Sequence, residues 1–236
     1  MTPFHFEKTG AGWLADVLPE LRDLPSPPET ARIESRAQAS NSLGPRPLWS
    51  GYRSLTNYPT DTKGTRSSND VRSAPTMGRF FAWIAAERKP DVIVEFGTAF
   101  GVSGMYWLAG LNAAATGTLF TFEPNADWAS IADANLSAIS HRYRLTVGTF
   151  EDHVASTLDG RGIDIAFVDA IHTDGFVTAQ YAVLKRYLRK GALVLFDDIG
   201  FSEEMRSCWA RIAVGPEVIA SARLEHRLGI LEFQGG

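Results

Sequence analysis

The sequence predicts an α/β fold of the doubly wound type: a mostly parallel seven-stranded sheet with helices on both faces, an antiparallel edge at the C-terminal end, and an N-terminal helical and loop extension. Three observations carry this. From residue 75 onward, apolar positions at helical spacing alternate with short apolar runs, the pattern that right-handed crossovers impose. The runs VIVEF, IAFV and ALVLF are nearly continuous, as strands buried on both faces of a parallel sheet require. The first run ends in a loop carrying Gly97, Gly101 and Gly104, beyond the carboxyl end of a strand, where open α/β sheets bind their ligands.

Along the chain, Trp13, Leu14, Val17, Leu18 and Leu21 fit a helix over 11–24, and a second helix is expected over 28–40 after the LPSPP break. Residues 41–70 are rich in Ser, Pro, Gly, Asn and Thr and read as loop. A loop of that length inside a compact domain is functional or disordered. Its Trp49, Tyr52, Leu55 and Tyr58 favour a segment that packs on something, either a lid or a dimer contact. The extension is therefore expected over 1–70 and the main domain over 71–236.

Met77, Phe80, Phe81 and Ile84 share one face of a helix that Lys89-Pro90 closes before the strand DVIVEF. A helix over 102–114, a strand over 118–123 and a helix with Trp128, Ile131, Ala132, Leu136 and Ile139 in register follow. Strands are expected over 144–150 and 163–170, with a short helix between them. A helix with Phe176, Val183, Leu184, Tyr187 and Leu188 leads through Gly191 into a strand over 192–198. One more helix, near 202–213, places Met205, Cys208, Trp209 and Ile212 on one face, and the runs EVIASARLEH and LGILEF, joined across Arg227-Leu228, read as a closing antiparallel pair.

Composition narrows the function classes. The 236 residues are 44% hydrophobic and 21% charged, enough for one sizeable core. Lys and Arg total 23 against 27 Asp and Glu, with no basic run dense enough to follow a phosphate backbone, which argues against nucleic acid. Cys208 is the single cysteine, so neither an intrachain disulfide nor a cysteine-based zinc cluster is available. No signal-peptide pattern and no apolar run of about 20 residues occurs, and a cytoplasmic protein without a membrane partner is expected.

The glycine loop lacks the G-x-G-x-x-G of a dinucleotide site and the G-K-[ST] of a phosphate loop. A wider loop that brings backbone close to a small zwitterionic or adenosyl group fits its spacing, and Glu123 at the next strand's end is placed to accept hydrogen bonds from two ribose hydroxyls. The alternative is tight strand-to-helix packing, with Glu123 capping the helix after Pro124-Asn125. Asp169 ends one strand and Asp197-Asp198 the next; neighbouring strand ends lie about 5 Å apart, so the three carboxylates could share a Mg²⁺ ion. Both members of the consecutive pair can ligate only if the strand has already ended there. The alternative makes each aspartate a helix cap.

The stretch SAPTMGRFFAWIAAERKPDVIVEFGTAFGVSGMYWLAGL, with TFEP one strand later, resembles class I S-adenosylmethionine-dependent methyltransferases, specifically the catechol O-methyltransferase-like branch and its bacterial relatives that methylate sugar and natural-product hydroxyls. The resemblance covers about 73–200 and rests on E-x-G-x-x-x-G-x-S (Glu95, Gly97, Gly101, Ser103) and the acidic strand end. It implies that Gly97, Thr98 and Ser103 line the methionine end of S-adenosylmethionine, with Glu95, Gly101 and Asp169 in the cofactor site, and that Glu123 holds the ribose. It also implies that Asp169, Asp197 and Asp198 bind Mg²⁺, and that His172, three residues after Asp169, stands where catechol-type relatives carry a lysine base. A histidine there can take a hydroxyl proton near neutral pH. The sequence thus predicts a Mg²⁺-dependent O-methyltransferase acting on a small molecule with neighbouring hydroxyls, such as a catechol, a sugar or a secondary metabolite, with His172 and Asp169 catalytic and a homodimer possible. Two alternatives stand beside it: a metal-free methyltransferase, and a nucleotide- or NAD-binding module without methyl transfer.

Overall fold

The computed structural model describes residues 4–18, 23–54 and 64–235. The chain divides into two compact units, Leu24–Asp159 and a second composed of Met1–Asp23 with Gly160–Gly236.

In Leu24–Asp159, three parallel strands lie in the order Val92–Phe96, Thr118–Glu123, Tyr143–Val147. All five residues of the first are buried, as its unbroken apolar pattern requires. The helix Pro75–Arg88 starts with proline at its first position and ends on Lys89 in the left-handed region, so the Lys-Pro stop expected from the sequence is real. The helix Val102–Ala114 is buried from Val102 through Leu111 and has no polar stripe. Asn125 caps the helix Ala126–Ser137 by accepting from the amides of Asp127 and Trp128.

One expected strand is shorter. The run over 144–150 pairs only as Tyr143–Val147, because Thr149 caps a helix that begins at Phe150 by accepting from the Asp152 amide. Phe150 then stacks on Phe96 at 4.2 Å and meets Phe122 edge-on at 5.6 Å, so its apolar character serves the core from a helix.

The helix Thr30–Ser42 is held in this unit by Glu34, whose carboxylate receives the Arg72 guanidinium at 2.7 and 2.8 Å and the Tyr106 hydroxyl at 2.8 Å. The segment expected as loop contains a two-strand ribbon, Arg46–Pro47 with Thr65–Arg66, and a short helix Ser68–Val71 closed by a Ser67/Asp70 capping box. Trp49 and Tyr52 meet edge to face at 6.0 Å. Leu55 and Tyr58 lie outside the described residues.

In the second unit the strand order is Phe4–Lys8, Val218–Leu224, Leu228–Phe233, Leu188–Phe196, Ile163–Val168. Ile163–Val168 and Leu188–Phe196 pair in parallel with Val168 opposite Phe196, and every other junction is antiparallel. The closing hairpin expected from the sequence is present. The strand Phe4–Lys8 was not expected; it pairs with Val218–Leu224 and adds to the seven strands the sequence predicts. The helix expected over 11–24 is seen as Trp13–Val17, and Leu21 lies among residues 19–22, outside the described residues. Gly191 does not interrupt the structure: Leu188–Phe196 runs through it at φ 77°, with an irregular register opposite Ile163–Ile165.

The helix Glu203–Ile212 buries Met205, Cys208, Trp209 and Ile212, the face read from its spacing. Trp209 lies on the hairpin so closely that a Cβ at Gly229 would meet its ring at 2.6 Å. Among the described residues, no helix is long and apolar enough to cross a membrane.

Candidate functional site

The glycine loop in Leu24–Asp159 is built by backbone geometry. Gly97 has φ 94°, Ala99 φ 47° and Gly101 φ 82°, so the chain turns sharply out of the strand Val92–Phe96 and enters the helix Val102–Ala114 with Gly101 as its N-cap. The Gly97 and Thr98 amides both donate to the Phe122 carbonyl, at 3.1 and 3.2 Å, which fixes the loop to the neighbouring strand. A Cβ on Gly104 would meet Leu136 at 2.7 Å, so this glycine serves helix packing.

Glu123 ends the strand Thr118–Glu123, and its carboxylate receives the Ala99 amide on Oε2 and the Asn125 amide on Oε1, both at 2.8 Å. Burial drives its pKa up to about 7 against those two amides, which favour the charged form. The cap reading goes instead to Asn125, whose Oδ1 does the capping while its Nδ2 donates to the Pro47 carbonyl at 2.9 Å.

Glu95 lies behind the loop. It is fully buried, accepts from the Thr121 hydroxyl at 2.7 Å, and Thr121 is 2.5 Å from the Thr98 hydroxyl. Burial raises its pKa to about 7, with Ser103 and Thr121 pulling the other way and Glu123 adding to the rise. Its Oε1 has no hydrogen-bond partner among the described residues; Ser103 is near enough to favour the charged form but does not meet hydrogen-bond geometry. A tightly turned loop with an acidic strand end and a buried acceptor behind it fits an adenosyl amino acid, whose ribose hydroxyls and ammonium are donors.

The carboxylates sit in the second unit. The strand Leu188–Phe196 has ended before Asp197, and Asp198 is in the left-handed region at φ 51°, so the two consecutive side chains are freed from strand alternation. The Asp197 amide donates to the Val168 carbonyl at 3.1 Å, which brings Asp169 beside the pair. His172 Nε2 is 3.7 Å from Asp169 Oδ1 and 3.7 Å from Asp198 Oδ2. Burial pulls the His172 pKa below the ordinary imidazole value, opposed by the Asp198 and Asp197 charges, whereas burial and Asp197 raise the Asp198 carboxyl. Phe201, 48% exposed, lies 5.6 Å from the His172 ring.

Asp197 is engaged elsewhere. Arg227 donates from Nε to Oδ1 at 3.1 Å and from Nη2 to Oδ2 at 3.0 Å, and its Nε is 3.7 Å from Asp198 Oδ1. Asp197 is 2% exposed and Arg227 43%. The fork occupies both oxygens of one expected ligand and brings one positive charge into the cluster. The three aspartates are thus brought together as expected, but this arrangement does not fit Mg²⁺: among the described residues no group of three His, Cys, Asp or Glu side chains is disposed to hold a metal ion.

Sequence reading placed Arg227 only at the junction of the closing antiparallel pair, and the hairpin register is what assigns its partner. With Gly229 opposite Phe196 in the antiparallel pair, residue 227 falls opposite 198, and the Ile199 amide indeed donates to the Arg227 carbonyl at 3.0 Å.

A family model described as a methyltransferase domain matches residues 94–199. No curated protein sequence matches the chain. Among solved structures, the chain is similar to cofactor-bound Rv0187 from MTB, at 18% identity and TM-score 0.65 over 91% of this chain and 100% of that one. It is similar to the O-methyltransferase TomG from Streptomyces achromogenes, involved in tomaymycin synthesis and solved with S-adenosylmethionine, at 18% identity and TM-score 0.59 over 84% and 99%. It is also similar to an O-methyltransferase from Bacillus cereus in complex with S-adenosylhomocysteine, at 18% identity and TM-score 0.59 over 93% and 94%. These likenesses establish the fold, the Rossmann-like fold of class I methyltransferases.

Proposed function

We propose that the methyltransferase domain this chain carries transfers a methyl group from S-adenosylmethionine to a hydroxyl of a small molecule. The observation that carries the reading is the Glu123 carboxylate, tied at both oxygens to the backbone of the glycine loop and of the following helix. That tie presents an acceptor for ribose hydroxyls at a fixed place beside Gly97 and Thr98. The relatives' own cofactors and their description as O-methyltransferases support the same reading.

S-adenosylmethionine, when bound, supplies a methyl group already activated on sulfonium, so the protein's task is positioning and proton removal. Glu123 orients the ribose, and Gly97, Thr98, Gly101 and Ser103 admit the methionine end. His172, held neutral by burial, would accept the proton of the acceptor hydroxyl at Nε2. Asp169 and Asp198 face Nε2 and stabilise the imidazolium that results. The acceptor belongs to the sugars, catechols or secondary metabolites, and the acting species is a homodimer in the cytoplasm.

Sequence and geometry point apart on Mg²⁺. The three aspartates call for it, whereas the Arg227 fork on Asp197 favours the metal-free alternative, which we adopt. Calorimetric titration with S-adenosylhomocysteine, in Mg²⁺ and again in EDTA, tests the cofactor reading: one saturable site of equal affinity in both is expected. Absence of binding in both would return the chain to a nucleotide-binding module.

A further inference from the structure

We propose that Arg227 is the resident cation of the acceptor site, standing where relatives of this type would place a divalent ion. The inference rests on the methyltransferase reading and adds a positioning residue and a substrate consequence to it.

Charge arithmetic at the cluster is the starting point. Asp169 and Asp198 each lie 3.7 Å from His172 Nε2, and Asp197 shares Arg227 with Asp198, so three like charges are gathered where a cation among them is favoured. Arg227 supplies it from the turn between Val218–Leu224 and Leu228–Phe233, and the antiparallel register fixes where it arrives. A planar guanidinium matches a carboxylate fork to fork, and unlike a metal it is covalently part of the chain. Because Asp197 is almost wholly buried, it cannot swing out to water to release the guanidinium cheaply.

The arrangement separates two jobs that one ion would combine. Arg227 and Asp197 neutralise each other and hold the turn at 197–199, so Asp198 keeps its place 3.7 Å from His172 Nε2. Nothing in this division chelates substrate. A divalent ion selects acceptors with two neighbouring oxygens, whereas hydrogen bonding to Asp198 and His172 asks for one hydroxyl. The acceptor accordingly needs to present one hydroxyl, with no requirement for a neighbouring oxygen.

Titration of the purified full chain with Mn²⁺, followed by the loss of the free-ion electron paramagnetic resonance signal, tests this. Wild type should leave the signal unchanged at millimolar ion. Arg227→Ala should bind one Mn²⁺ about tenfold or more tightly than wild type, because a unit charge within about 4 Å of two carboxylates has been removed. Arg227→Lys, which keeps the charge, should behave as wild type. If Arg227→Ala does not fold, the wild-type arm decides alone. One saturable Mn²⁺ per wild-type chain, lost in Asp169→Ala, would overturn the inference. The S-adenosylhomocysteine titration runs independently: failure to bind it would sink the methyltransferase reading while leaving the ion result to stand or fall by itself.

Discussion

His172 owes its proton affinity to opposing influences. Burial disfavours the imidazolium, the Asp198 and Asp197 charges favour it, and burial wins, so the ring is neutral at pH 7 and ready to accept a proton. His172→Ala should therefore lower kcat by about a hundredfold or more while S-adenosylhomocysteine affinity stays close to wild type. The acid limb of the wild-type rate profile should lie below the ordinary imidazole value of about 6.5. Steady-state kinetics across pH 5–8 checks both, and unchanged kcat in the variant would remove His172 from proton transfer. The residue types at this site were legible in the sequence: aspartates at strand ends and a histidine three positions on are local patterns. Arg227 was not, because its meaning depends on which residue a hairpin register places it against.

Among elements, the terminal hairpin carries the most consequence, since its turn delivers Arg227. Its distance from the helix Glu203–Ile212 is set by Gly229 under the Trp209 ring. Gly229→Val should push the hairpin away and destabilise the fold by about 1–3 kcal/mol, the usual cost of overpacking, read as a lowered urea midpoint. A wild-type midpoint would mean that the indole moves freely and that the contact does not set the spacing. Helices and strands with strong periodicity were readable from sequence because each buries one face or two. Phe4–Lys8 escaped because five residues alternating in polarity become a strand only when a remote edge accepts them, and here that edge is Val218–Leu224. The end of Tyr143–Val147 was misplaced for the opposite reason: a local cap at Thr149 overrides a continuing apolar pattern.

At the scale of the molecule, stability should depend on pH through two carboxyls with no ordinary surface behaviour. Glu95 and Glu123 both have folded pKa values raised from 4.5 to about 7, chiefly by burial. The folded protein therefore binds more protons than the unfolded chain between those values, and their contribution, fully present below pH 4.5, is lost as pH rises through about 7. Urea unfolding of Glu95→Gln at pH 5, 6, 7 and 8 should show a flatter profile than wild type, by on the order of 1–3 kcal/mol across the range. Parallel profiles would mean that Glu95 titrates as an ordinary carboxyl. The fold class was open to sequence reading because alternation is repeated along the chain. The composition of the two units was not, since residues 1–23 join residues 160–236 across the intervening unit's whole length of sequence. The strand Phe4–Lys8 gives that joining a temporal side. It leaves the ribosome about two hundred residues ahead of Val218–Leu224, its pairing partner, so it cannot take up this pairing until that stretch has been made. In a refolding experiment, closure of this edge is then a step governed by the slow meeting of distant segments.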